Sequence, residues 1–104
     1  MEKKSEKKYY AKVHRIGREK VLAICDAELL GRELSDGNIT IEISEKFYGG
    51  ELLSYDEVRE LMKTATIINI FGEDIVNQLI KENSDYEPSV IRIANIPHLQ
   101  IIRV

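Results

Sequence analysis

Residues 66–71, Thr-Ile-Ile-Asn-Ile-Phe, form an apolar run broken only by Asn69 and stopped by Gly72. A strand with one wet face shows a polar residue at every second position. This run does not, so it reads as an interior strand covered on both faces. The rest of the chain must supply that cover. Gly72 turns the run into a helix whose buried stripe is Ile75, Val76, Leu79 and Ile80, and Asn83 ends it. Upstream, Ser54-Tyr55-Asp56-Glu57 is a capping box, in which a hydroxyl and a carboxylate each satisfy a free end amide. The helix it opens buries Val58, Leu61 and Met62 at i, i+3 and i+4.

The flanks read mostly as strands. Residues 9–16 alternate, residues 21–25 follow, and Gly17-Arg18-Glu19-Lys20 is the hairpin turn between them. Asp26 is placed to cap a short helix over 27–30, with Gly31 ending it. Ser35-Asp36-Gly37-Asn38 is a turn. Ile39, Ile41 and Ile43 then alternate with Thr40, Glu42 and Ser44. The last strands are residues 90–93 and 99–104, separated by Asn95-Ile96-Pro97-His98. The expected fold is α/β: a mixed sheet of about six strands with two to three helices packed on it. Strand, helix, strand, helix, strand in the middle predicts parallel crossovers there.

One domain accounts for the length of 104 residues, of which 43% are hydrophobic and 32% charged. Residues 1–8 read as a charged N-terminal tail and 9–104 as the domain. With one cysteine there is no internal disulfide, which fits a reducing cytoplasm. No apolar run approaches the roughly 18–20 residues of a membrane span, and no apolar segment follows the charged start as in a signal peptide. The abundance of Ile, Lys and Glu without Trp resembles proteomes of hot or AT-rich organisms. The net charge is −3; residues 1–8, with four lysines against two glutamates, carry +2, so the remainder carries −5. That acidic body argues against a broad phosphate-gripping surface, so nucleic acid would need a local patch or the tail.

Several chemistries lack their residues. Gly72 lies where α/β proteins often hold phosphate, but Glu73 and Asp74 fill the first helical turn and repel an anion. Cys25, His14 and His98 are far apart, without the paired spacing of a metal site. Asp26 beside Cys25 raises a thiol pKa rather than lowering it. No carboxylate pair is set in an apolar pocket, as acid–base work requires. No Walker loop, dinucleotide fingerprint or nucleophile elbow occurs. No cofactor or metal is implied, and the chain reads as a non-enzyme.

What remains is a set of special residues. Lys12, His14 and Arg15 lie near the end of the first strand. Phe47-Tyr48-Gly49-Gly50 places two rings against a double glycine. Asn95, Pro97 and His98 precede the last strand. The double glycine predicts positive φ at Gly49 or Gly50. The plainer expectation for the rings is that Phe47 plugs the core and Tyr48 alone is wet; for Pro97-His98 it is a rigid turn. Turns at one end of a sheet cluster, so Tyr48, Gly49, Gly50, Pro97 and His98 are expected on one contiguous surface.

Tyr10-Ala11-Lys12-Val13-His14-Arg15, the Phe47-Tyr48-Gly49-Gly50 turn, Ala65-Thr66-Ile67-Ile68-Asn69 ahead of Gly72, and Val90-Ile91-Arg92-Ile93 with Pro97-His98 carry a resemblance. In this order, across residues 9–104, the chain resembles a small archaeal family known only as domain of unknown function family 424. The resemblance implies an archaeal cytoplasmic protein and a setting near translation genes, and brings no established activity. The residues themselves point first to a non-enzymatic module contacting RNA or a ribonucleoprotein. Tyr48, His14, Arg15, Lys12 and His98 are types that stack on bases or meet phosphates. An alternative is a protein–protein adaptor, using acidic surface, exposed tyrosines and a sheet edge at residues 99–104. The third reading is a small enzyme whose pocket joins Gly72 to the special residues.

Overall fold

The computed structural model describes residues 7–103. Eight strands form: β1 (Lys8–Ile16), β2 (Glu19–Asp26), β3 (Glu33–Asp36), β4 (Ile39–Glu42), β5 (Glu51–Ser54), β6 (Ile67–Phe71), β7 (Ile91–Ile93) and β8 (Ile96–Ile102). Three α-helices accompany them: α1 (Glu45–Tyr48), α2 (Tyr55–Met62) and α3 (Glu73–Glu82). Six strands make one mixed sheet in the order β5-β1-β2-β6-β8-β7, and β3 and β4 make a separate hairpin. The expected α/β class and mixed sheet are therefore observed.

The crossovers differ from expectation. Among the described residues, β2 with β6 is the one parallel pair, and the other pairings are antiparallel. Residues 51–54 pair with β1 rather than with β6, so α2 links the edge of the sheet to its middle. The two-residue turn at Ala94-Asn95, both with positive φ, makes β7 and β8 a tight hairpin. Pro97 and His98 consequently lie inside β8, not in a turn. The expected edge at residues 99–104 is observed over the part that is described: β7 pairs only with Ile96, Pro97 and His98, so residues 99–102 of β8 have β6 on one side and no strand on the other among the described residues.

The two faces of the sheet carry different covers. Tyr9, Ala11, Leu22, Ile24, Ile68, Ile70 and Leu99 meet Val58 and Met62 of α2 and Ile75, Val76 and Leu79 of α3. The capping box at Ser54 and Glu57 forms as expected and starts α2. On the other face Ala23, Cys25 and Phe71 pack with Leu29, Leu34, Ile43 and Tyr48 beneath the β3–β4 hairpin and α1. Both long helices thus share one face, because the second face is taken by the hairpin.

Asp26 shows how the helical face is tied down. Its carboxylate does not cap the 3-10 turn Ala27–Leu29 that follows it. It reaches instead to the start of α3, accepting from the backbone N–H of Asp74 at 2.9 Å and Ile75 at 3.0 Å. Gly72, the residue in the N-cap position, has φ 134° and no side chain to offer. A Cβ there would fall 2.3 Å from Asp26 Cγ. One residue supplies the cap and the other leaves room for it.

Candidate functional site

The segments singled out in the sequence do meet, through their rings. His14 stacks on Phe47 with centroids 4.7 Å apart and planes 13° from parallel. Phe47 meets Tyr48 edge-on at 5.0 Å, and Tyr48 meets Phe71 at 6.2 Å. Phe71 contacts His98 at 4.3 Å. The chain of rings crosses the hairpin face from β1 to β8. Strand register explains its far half: Phe71 pairs with Cys25 on one side and with His98 on the other, so all three share a face.

The interior of this chain is not a surface. Tyr48 is 6% exposed and Phe47 half-buried, the reverse of the sequence expectation. The reason is α1. Ser44 accepts from Phe47 N–H and starts a one-turn helix, which rotates Tyr48 inward onto Phe71. Pro97 is also buried. Tyr48, Gly49, Gly50, Pro97 and His98 therefore do not form one contiguous surface. None of the five tyrosines is exposed, so the adaptor reading loses that support.

The double glycine has a different cause from the one expected. Gly49 has φ −83°, and neither Gly49 nor Gly50 has positive φ. Space is the constraint. A Cβ on Gly49 would lie 2.6 Å from the Glu45 carbonyl oxygen, and one on Gly50 would lie 2.2 Å from the Ala11 carbonyl oxygen. The pair lets the end of α1 close against β1.

Beside that contact, a cavity of about 430 Å³ opens between β1 and α1, lined by Lys12, His14, Ile16, Ser44, Lys46 and Phe47. Lys12 Nζ donates to the Lys46 carbonyl oxygen at 2.8 Å. His14 Nε2 lies 2.8 Å from the Phe47 carbonyl oxygen, so that nitrogen carries the proton and Nδ1 faces away. Both bonds satisfy carbonyls at the end of a four-residue helix. Lys12 and His14 thus have a structural duty as well as a place in the cavity wall. Two lysines line it and no carboxylate does. Lys46, Ser44 and Ile16 were not singled out in the sequence, because their nearness depends on α1.

The other expected residues lie elsewhere. Arg15 is exposed at the end of β1, outside the lining. Asn95 sits in the β7–β8 turn, where its carbonyl accepts from Arg92. His98 is separated from the cavity by buried Tyr48 and Phe71, and its burial lowers its pKa, keeping it neutral. Gly72 is closed off by Asp26 and shares no pocket with Lys12 or His14. Burial, then the neighbouring Asp26, pushes the Cys25 thiol up to about 12, away from the thiolate a nucleophile needs. The small-enzyme reading required one pocket joining Gly72 to the special residues, and none of the cavities described among residues 7–103 does so.

Of the charged tail, residues 1–6 lie outside the described residues. Lys8 begins β1, and Lys7 pairs with Asp74 at the start of α3. No helix among the described residues is long and apolar enough to cross a membrane.

The family model described as "Protein of unknown function (DUF424)" matches residues 14–104, and the chain belongs to that family. The chain is similar to an uncharacterised conserved protein from Methanopyrus kandleri, known from a crystal structure. The two share 28% identity and superpose with a TM-score of 0.76, covering 93% of this chain and 94% of the other. No curated protein matches the chain.

Proposed function

We propose that this member of the DUF424 family is a non-enzymatic binding module that contacts RNA or a ribonucleoprotein in the archaeal cytoplasm, with translation as its setting. The observation that carries the reading is the cavity between β1 and α1. Lys12 and Lys46 supply positive charge there, and Phe47 with His14 supplies a half-buried ring pair. Rings and cations without a competing carboxylate suit bases and phosphates. The acidic body keeps the contact local rather than spread over the surface. Filter binding and gel shift with total RNA, tRNA and ribosomal subunits at low salt test it. Retention of at least one of these is expected; retention of none by the folded protein would sink the reading.

A protein–protein adaptor is the second reading. Ile91 and Ile102 stand 56% and 63% exposed on the hairpin side of the sheet, as strand register requires. Ile102 lies on the open edge of β8, residues 99–102, whose outward backbone groups suit an added strand from a protein partner. Pull-down from native extract separates the two: a specific partner that survives nuclease treatment supports the adaptor.

A further inference from the structure

We infer that the cavity between β1 and α1 receives a single unpaired nucleotide, and that the protein therefore distinguishes single-stranded RNA from duplex. The inference rests on the RNA reading and sharpens it. Three features of the molecule carry it.

The first is size. The cavity, of about 430 Å³ and open to solvent, lies within the range of small-ligand sites, about 300 to 1,000 Å³. The second is the count and placement of charge. Lys12 and Lys46 are the cations of the lining, enough for one or two phosphates. Beside them, Glu45 on α1 is exposed, and residues 9–104 carry net −5. A duplex lays many phosphates against a protein at once, and that surface would repel most of them. The third is the available chemistry. Lys12 keeps protons beyond the one given to the Lys46 carbonyl, and among the described residues Lys46 Nζ has no hydrogen bond or ion pair. Ser44 spends its oxygen as acceptor for Phe47 N–H, leaving its hydroxyl proton to donate. His14 presents Nδ1 after committing Nε2–H to a carbonyl. Phosphate donors, a flat apolar wall and groups able to pair with a base edge thus lie around one space. A base inside a helix cannot reach such a space, because its edges and faces are already occupied.

Fluorescence anisotropy with a randomised single-stranded RNA pool, and with a duplex of similar length, tests this between about 50 and 200 mM salt. Single-stranded RNA is expected to bind about tenfold or more tightly than duplex. The slope of log affinity against log salt is expected near −1.4, from two phosphates at about −0.7 each in a single strand. Lys46→Ala should flatten that slope by about 0.7. Lys63→Ala, which removes an exposed lysine outside the cavity, should leave it unchanged. Equal or tighter binding of duplex overturns the inference while leaving RNA contact standing. So does a slope several times steeper, or a Lys46→Ala protein that binds as the parent does. Failure of every RNA, the ribosomal and transfer species included, overturns the broader reading with it.

Discussion

The two faces of the central sheet are closed by different means, and the difference locates the candidate site. On the helical face, Leu22, Ile24, Ile68, Ile70 and Leu99 are covered by two amphipathic helices and are essentially inaccessible. On the hairpin face, burial fades across the strands. Ala23 is fully buried, its neighbour Asn69 half-buried, and Gln100 beyond it exposed. The next row runs from buried Val21 through half-buried Ile67 to exposed Ile102. The hairpin and a one-turn helix are too small to cover a six-stranded sheet, so they leave a cavity at one corner and open strand surface at the other. A face that is closed by packing has little left to bind with. A face that is half closed keeps side chains in fixed places and still within reach of solvent.

Gly72→Ala tests the helical face most severely. It forces a side chain into φ 134° and into the Asp26 carboxylate, and is expected to cost about 3–4 kcal/mol. Urea denaturation reads the loss, and a loss below about 1 kcal/mol would mean that α3 can shift without penalty. Ile24→Ala empties a fully buried position on the same face and should cost about 3 kcal/mol by the same measurement.

Asp26→Asn comes next, at about 2 kcal/mol near neutral pH, because its amide nitrogen would confront a helix N–H that now has an acceptor. Its pH dependence is the sharper test. Burial lifts the Asp26 carboxyl to about 6, while the two backbone N–H groups pull it down. The unfolded chain titrates near 3.9. The folded state therefore holds the proton more tightly, and that stabilisation is present below about pH 4 and lost as pH rises through about 6. The stability of the parent relative to Asp26→Asn should fall across this window. A rise would show that the N–H groups outweigh burial.

Phe47→Ala probes the hairpin face and is expected to cost only about 1 kcal/mol, since the ring is half-buried. Its larger effect should be on RNA retention. The comparison breaks if Phe47→Ala unfolds the protein while Ile24→Ala does not.

Local signals were legible wherever the cause was local. The capping box at Ser54 and Glu57, the stripe Ile75, Val76 and Leu79, and the hairpin turn after β1 depend on residues a few positions apart. Asn69, the one polar break in the run that names β6, falls on the incompletely covered face. The α/β class and mixed sheet follow from those signals.

Tertiary structure decided the rest, because its causes lie far apart in the chain. Asp26 caps a helix 48 residues away, so its apparent local cap was a coincidence of composition. Gly49 and Gly50 are small because Glu45 and the β1 backbone crowd them, a fact no φ preference could reveal. Tyr48 turns inward because a one-turn helix forms at Ser44, too short to announce itself by periodicity. The cavity of Lys12, His14 and Lys46 exists only once that helix meets β1. Residue types and local turns are properties of sequence; which distant backbone presses on a residue is a property of the fold alone.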